Sequence, residues 1–399
     1  MITISKSERI HQRLLFFLFG IGLMAIAPRT PDMKANLGVN NGTMGTLLSF
    51  GAIGAVISLL AAGQLVHRFG PKRVLIVAST VLYTDMALQP HIQSPLIFVV
   101  AMIAASGCFG VYHTSINAQA LHRQTLSGES FLPRMHGTWS AGALFTAILG
   151  AFLAGRVSLA WHIDILMPII WVLTQISIHK LTDVFVDGKD SSPDETPSVG
   201  VATLKIFIKE GYLFIIAATL AIFLEACSND WSSLMTKEDM GASESSATLS
   251  YIAFMFAMIL GRLNAHRLTK IRPERYWFKL GCLLSGIGFL SLSQSAKYLA
   301  PHHRGLAIAL AVSAFFIGGL GSSILAPILT TILNTKSSLS GGVIVAQLAM
   351  LNTIAFFVLK VAMAWIAQAT SITLAMAIPA IFLVILSRMS KLVSDTRTS

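Results

Sequence analysis

The chain has 399 residues, of which 54% are hydrophobic and only 12% are charged. Soluble domains carry about 25% charged residues, so this composition, with a mean hydropathy of +0.71, excludes a water-soluble globule. A net charge of +11 is compatible with a nucleic-acid partner, but the positions of the basic residues along the chain give another explanation.

Twelve apolar segments, each close to the roughly 20 residues that cross a bilayer, predict an all-α integral membrane protein with twelve spans. In chain order the predicted spans are 11–27, 43–66, 74–90, 95–120, 137–155, 160–179, 211–229, 246–265, 277–295, 304–333, 341–368 and 371–388. A polar stretch divides them six and six. The predicted domains are therefore a six-helix bundle at 1–179, a cytoplasmic linker at 180–203 and a second six-helix bundle at 204–399.

The basic residues predict the orientation of the chain. With both termini in the cytoplasm, 22 of the 29 Lys and Arg fall on the cytoplasmic side, six fall outside, and Lys360 lies within a span. This bias is the positive-inside rule. We therefore attribute the excess charge to topology rather than to nucleic-acid binding, and expect a multi-pass protein of the bacterial inner membrane.

The two halves of the chain carry a trace of repetition. A basic loop from Gly63 to Arg73 follows span two, and a second one beginning at Gly261 and Arg262 follows span eight, half a chain length later. Parallel repeats of this kind are typical of secondary transporters, which bind their solute near the midplane.

The first of these loops resembles the signature of the major facilitator superfamily, Gly-x-Leu-Ala-Asp-Arg-x-Gly-Arg-Lys. The matching positions are Gly63, Leu65, Arg68, Gly70 and Lys72. His67 replaces the Asp of the signature and Pro71 replaces an Arg. The resemblance implies two pseudo-symmetric bundles, transport by alternating access, and a conformational switch at Gly63, His67, Arg68, Gly70 and Lys72. In the family that Asp helps to latch one conformation, so His67 implies a latch that is altered or depends on pH.

Further stretches resemble the YbjJ/MosC-like branch of this superfamily. They are Pro28 to Pro31, Met135 to Ser140, Glu225 to Ser232, and Tyr251 to Arg262. The chain departs from the branch at Leu359-Lys360-Val361, where a Gly-Pro pair is usual, and near His113, where an acidic residue is frequent. The resemblance therefore implies fold and transport, and leaves the substrate open.

Glu225 is the candidate for proton coupling. An ionisable group inside the hydrocarbon costs about 2.5 to 3.5 kcal/mol, so such residues usually face the protein interior or a wet cavity. We place Glu225 in the outer half of span seven, where burial favours the protonated acid and a role as proton carrier. The alternative is a carboxylate that locks two helices together. Lys360 of span eleven either has a partner, for which Glu225 is the candidate, or snorkels outward, and the sequence leaves both alternatives open.

Five residues are candidates for substrate binding. They are His113, Asn117, Asn229, Trp231 and Lys360. His113 and Asn117 are four residues apart and share one helix face. Polar groups there bind a solute or simply bond to adjacent helices, and Trp231 is either a substrate contact or an interfacial anchor. Arg29, His136 and Trp139 are candidate gate residues near the ends of spans one and five.

Nothing in the sequence indicates an enzyme. Phosphate-binding loops with Lys-Ser/Thr and His-Glu-x-x-His metal sites are lacking, and the three cysteines show no metal-ligand spacing. We therefore expect no cofactor and no metal, and expect a solute, the proton and the lipid bilayer as partners of a monomer. The prediction is a secondary transporter of a small polar organic solute. The alternatives are an exporter of a metabolite, siderophore or drug on the same fold, and a membrane sensor that binds a solute without moving it.

Overall fold

The structure is a computed structural model that describes residues 5–127, 132–182, 201–336 and 341–393. Every regular element within these ranges is helical. Most of the predicted linker at 180–203 lies outside the described residues, as do the two ends of the chain.

The described part of the first half forms helices α1 to α8. Their bounds are α1 Lys6–Met24, α2 Thr30–Leu37, α3 Asn41–Ser49, α4 Gly51–Phe69, α5 Pro71–Leu88, α6 Pro95–Ser127, α7 Leu132–Leu153 and α8 Leu159–His179. Serine hydroxyls cap two of them: Ser5 accepts a hydrogen bond from the Glu8 N–H at 3.1 Å, and Ser158 accepts one from the Trp161 N–H at 3.3 Å. Such caps satisfy N–H groups that the first turn leaves free.

The described part of the second half forms helices α9 to α18. Their bounds are α9 Val201–Glu238, α10 Glu244–Ala247, α11 Leu249–Ile271, α12 Glu274–Leu283, α13 Phe289–Leu299, α14 Arg304–Ser322, α15 Leu325–Lys336, α16 Gly341–Ala369, α17 Ile372–Ala375 and α18 Ala377–Arg388. A π-helical segment, Leu284–Gly288, joins α12 to α13, so span nine continues without a break.

The helices account for all twelve predicted spans. Nine helical runs of the described residues are long and apolar enough to cross a membrane. The other three predicted spans are occupied by α5, α7 and α9. In α5, the charged residues Lys72, Arg73 and Asp85 fall within 18 residues, which lowers its hydropathy. The prediction of an all-helical, twelve-span membrane fold is confirmed.

Several spans are less regular than the hydropathy pattern suggests. Spans two, eight, ten and twelve each consist of two helices, with the break in span ten at Ser323 and Ile324. Span four is one helix, α6, of 33 residues. At 1.5 Å per residue it is about 50 Å long, which exceeds the thickness of a bilayer.

The chain divides into two compact units. Unit 1 comprises Met1–Ile26, Asp32–Gly38 and Phe50–Pro197, and unit 2 comprises Ala27–Pro31, Val39–Ser49 and Ser198–Ser399. The division along the chain follows the predicted linker. Two short segments of the first half nevertheless pack with unit 2, and one of them contains α3. The boundaries predicted at 179 and 204 remain predictions.

Among the close helix contacts made through glycine, one in each unit joins corresponding spans of the two halves. In unit 1, a Cβ atom on Gly54 of α4 would collide with the carbonyl of Ile103 in α6. In unit 2, a Cβ atom on Gly319 of α14 would lie 2.5 Å from the Phe254 carbonyl oxygen in α11. Spans two and four thus pack as spans eight and ten do, which agrees with the repeat predicted from the loops.

Candidate functional site

Glu225 forms an ion pair inside unit 2. Its two carboxylate oxygens accept hydrogen bonds from Nη2 of Arg262 at 3.0 and 3.1 Å. Glu225 precedes the end of α9 by 13 residues, and Arg262 follows the start of α11 by 13 residues, so both lie about 20 Å from those helix ends. Glu225 therefore lies in the C-terminal half of α9, which is the outer half in the predicted topology. The side chains are 26% and 42% exposed, so both remain accessible from one face of unit 2.

Lys360 pairs with Asp230 and not with Glu225. Its Nζ lies 2.6 Å from Oδ2 of Asp230, with only about a fifth of each side chain exposed. The candidate pairing of Glu225 with Lys360 is therefore wrong. Asp230 is five residues beyond Glu225 on α9, so the two carboxylates point about 140° apart. Glu225 meets α11 while Asp230 meets α16.

Asn229 and Trp231 lie on either side of Asp230 along α9. Trp231 is 1% exposed, which argues against a role as an interfacial anchor. Its ring packs on Gly45 of α3, where a Cβ would lie 2.6 Å from the Trp231 ring. The side-chain oxygen of Asn229 is buried and accepts no hydrogen bond from the described residues. This oxygen is available to a donor on a bound solute or to water.

In unit 1, His113 and His136 belong to one aromatic cluster. Their ring centroids are 6.2 Å apart, and His113 stacks on Phe109 of α6 and Phe19 of α1 at 5.9 and 6.2 Å. Phe16 meets His136 edge-on at 5.7 Å. Both imidazoles are exposed on this face of unit 1. The sequence places His113 on α6 and His136 on α7 without indicating that they meet.

Asn117 lies on the same face, one turn beyond His113. Its Nδ2 donates to the His113 carbonyl at 2.8 Å, while its Oδ1 is buried and accepts no hydrogen bond from the described residues. Trp139 lies half-buried one turn from His136 on α7. Asn117 and Asn229 therefore each carry an amide oxygen without a partner in the described structure.

The loop signature forms the turn between α4 and α5. Gly70 has φ +79°, in the left-handed region that favours glycine, and Pro71 begins α5. Lys72 donates from Nζ to the Leu181 carbonyl at 2.8 Å, at the point where the described part of unit 1 ends. His67 and Arg68 are exposed. Gly63 is also exposed, and a Cβ there would meet nothing within 4 Å.

Arg29 is buried, with 1% of its surface exposed, in a 3-10 turn at Ala27–Arg29 that contacts α9. This turn belongs to unit 2, although the sequence places it after span one. The turn that contains Arg29 packs on α9 within unit 2, and a gate at Arg29 stays a prediction.

Sequence reasoning missed two arginines. Arg262 was assigned to a cytoplasmic loop, whereas it lies within the candidate span Glu244–Ala265. Arg123 of α6 is 3% exposed, lies 3.5 Å from Glu8 of α1 and donates to Gln119 at 2.5 Å. The sequence feature that could have identified both arginines is that each one adjoins a continuous apolar run.

In the described ranges, no cluster of three or more His, Cys, Asp or Glu residues is arranged to hold a metal ion.

Comparison with known proteins agrees with this arrangement of helices. Residues 14–300, well over half of the chain, match the Major Facilitator Superfamily. The chain belongs to this superfamily. It is therefore a membrane transporter of the multi-pass helical type, which accounts for the ionisable residues inside its spans.

Individual relatives of this transporter cover most of its length. An uncharacterized MFS-type transporter of Yersinia pestis is 27% identical over 97% of this chain and 96% of its own. The membrane protein MosC of Rhizobium meliloti is 25% identical over 79% of this chain and 72% of its own. The crystal structure of the nucleoside transporter NupG matches with a TM-score of 0.79 at 13% identity, over 96% of this chain and 98% of that chain. A similarity at this level of identity establishes the fold alone.

Proposed function

We propose that this transporter couples the movement of a small polar organic solute to a proton gradient by alternating access. The observation that carries the proposal is the ion pair of Glu225 with Arg262, which joins two membrane-spanning helices on an accessible face of unit 2. A carboxylate in such a place is costly unless it is paired or takes up a proton.

Glu225 is the proposed proton carrier, and Arg262 is the group against which the proton competes. Protonation of Glu225 removes its negative charge and leaves Arg262 with neutral acceptors. Loss of the proton restores the pair. The two states of Glu225 therefore differ in the electrostatic contact between α9 and α11, which is the kind of difference that biases a conformational equilibrium.

The proposed solute contacts are polar groups in each unit, described separately. In unit 2 they are Lys360, Asn229 and Trp231, and in unit 1 they are His113 and Asn117. The support is the partnerless amide oxygens of Asn117 and Asn229. Such acceptors suit a solute with hydroxyl or amine donors, since a buried polar atom is costly when it stays unsatisfied. The MosC relative is consistent with the YbjJ/MosC-like branch, which we propose as the closer affiliation.

The test is proton flux in liposomes that contain the purified protein and an internal pH dye. Pools of polyols, sugars, amino compounds and siderophores are added to wild type, Glu225→Gln and Glu244→Gln. Glu244 is a matched control, because it is a carboxylate paired with Lys237 at 3.4 Å away from the proposed contacts. We expect a solute-dependent pH change that Glu225→Gln abolishes and Glu244→Gln retains.

Other outcomes decide between the alternatives. Solute movement without a pH change would remove Glu225 as proton carrier and indicate uniport or exchange. Solute uptake only into inside-out vesicles would favour the exporter. A solute that raises the melting temperature without any flux would favour the sensor.

A further inference from the structure

Unit 1 contains an apolar groove that the proposed transport chemistry does not use. It has a volume of about 670 Å³ and is formed by α4, α5 and α6. Helices α4 and α5 both pack closely on α6 and touch each other at few points, so a furrow remains between them. Gly54 and Gly107 line it, and their lack of side chains deepens it.

The groove opens on the surface that apolar side chains identify as the lipid-facing side. Ile57, Val77 and Val81 line it and are 53%, 63% and 44% exposed. These helices span the membrane, where exposed apolar side chains of this kind contact acyl chains rather than water. The volume lies within the range of about 300 to 1,000 Å³ typical of ligand sites.

One end of the groove is cationic. Arg73, in the first turn of α5, lines it, and Phe69 lines it at the end of α4. The guanidinium of Arg68 lies 5.3 Å from the Phe69 ring centroid. Lys72 is committed to the Leu181 carbonyl, whereas Arg68 and Arg73 have no hydrogen-bond or ion-pair partner among the described residues. The positive-inside rule predicts that this end faces the cytoplasm.

We propose that this groove binds one anionic phospholipid of the inner leaflet. An acyl chain lies along Val77 and Val81, and the phosphate binds Arg73, with Arg68 adding positive charge at the same end. Val81 is eight residues from Arg73, which gives about 12 Å of apolar groove below the headgroup. Basic pockets between spans on the cytoplasmic side suit anionic headgroups, and each arginine near the surface contributes to binding.

This lipid site is separate from the proposed solute contacts. On α6 the groove is lined by Ile103, Gly107, Cys108 and Val111. His113 follows Cys108 by five residues and points about 140° away from it. Lipid binding can therefore be measured separately from solute binding.

The three cysteines supply a direct probe of the groove. Cys108 lines the groove and is partly exposed, whereas Cys227 and Cys282 are buried. An apolar maleimide is therefore expected to label Cys108 selectively in delipidated protein. We expect phosphatidylglycerol to protect Cys108, while phosphatidylcholine with the same acyl chains and inorganic phosphate do not.

Native mass spectrometry of the full-length protein gives the second readout. Wild type is expected to retain one phosphatidylglycerol, with affinity reduced about fivefold in Arg73→Gln. Val77→Trp, a change at an exposed position that fills the groove, is expected to abolish retention and protection. Arg156→Gln is the matched control, since Arg156 is an exposed arginine of unit 1 outside the groove. Equal protection by both lipids, protection by phosphate alone, or unchanged retention in Arg73→Gln would each overturn the proposal.

Discussion

At the scale of single residues, the charges inside unit 2 form two separate pairs. Glu225 with Arg262 joins α9 to α11, and Asp230 with Lys360 joins α9 to α16. The first pair is the more exposed, so a proton or a solute reaches it more readily. The second pair is more enclosed, so it contributes more to structure. We expect mutations in the two pairs to have different effects.

Removal of Arg262 is expected to impair proton-coupled transport. Without the guanidinium, the carboxylate of Glu225 loses the hydrogen bonds that Nη2 of Arg262 donates at 3.0 and 3.1 Å, so the contact between α9 and α11 no longer distinguishes the two states of Glu225. Solute-driven proton flux of Arg262→Gln should therefore fall about tenfold, and that of Arg262→Lys less, because the positive charge remains. The measurement is solute-driven proton flux in liposomes. Lys237→Gln serves as control, and an unchanged flux in Arg262→Gln would remove Arg262 from the coupling step.

The pair of Asp230 and Lys360 is expected to show strong energetic coupling. Either Asp230→Asn or Lys360→Met leaves one enclosed charge without a partner, at an expected cost of about 2 kcal/mol, below the value for a fully buried pair. The double variant removes both charges and should lose less stability than the two single variants added together. Thermal unfolding in detergent, followed by intrinsic tryptophan fluorescence, measures all four proteins. Additive losses would show that the two side chains do not interact.

At the scale of secondary-structure elements, glycine sets how closely helices pack. Without a hydrophobic driving force inside a bilayer, helices associate through close packing, for which small residues are favourable. Two of the three glycines of helix α4 have opposite surroundings. Gly54 touches the backbone of α6, while Gly63 has open space at the Cβ position. The two positions therefore allow a comparison on one helix.

Gly54→Leu is expected to destabilise unit 1, and Gly63→Ala is not. A side chain at position 54 would force α4 away from α6, and overpacking typically costs about 1 to 3 kcal/mol. At position 63, alanine fits and improves helix propensity by up to about 1 kcal/mol. Thermal melting of the two purified variants tests this difference. Equal melting temperatures would mean that α4 and α6 do not pack as described.

The glycine-rich helix α3 shows how an element in the first half becomes part of unit 2. Gly42 faces Trp365 and Gly45 faces Ala364 and Trp231, so side chains at these positions would block the approach of α16 and α9. Asn41 donates from Nδ2 to Glu238 at 2.9 Å and from its backbone N–H to Gln368 at 2.9 Å. Hydropathy shows α3 only as the first part of an apolar span, because it does not report which neighbour the small residues face.

At the scale of the whole molecule, the distribution of charge predicts the topology of the chain. The excess of Lys and Arg on one side of the predicted spans places both termini in the cytoplasm. The helix bounds are consistent with an even number of crossings, since the twelve predicted spans are all occupied by helices.

Reporter fusions test this topology directly. A fluorescent protein fused after Ser399 is expected to fluoresce in the cytoplasm, and alkaline phosphatase at the same position is expected to be inactive. The same phosphatase inserted after Gln93, in the short segment between α5 and α6, is expected to be active outside. An active phosphatase at Ser399 would contradict the assigned orientation.

The sequence by itself determined that the chain is built of membrane-spanning helices, because bilayer thickness acts on local composition. The resemblance of the loop from Gly63 to Arg73 to a known signature implied the superfamily. The sequence also singled out Glu225 and Lys360 as costly charges that needed partners. Only the tertiary structure decided which partners they have. Arg262 is 37 residues from Glu225, and Lys360 is 130 residues from Asp230. Contacts across such distances depend on the rotation and depth of each helix, which hydropathy does not encode. The groove beside Arg73 likewise arises from the spacing of three helices and is visible only after they pack.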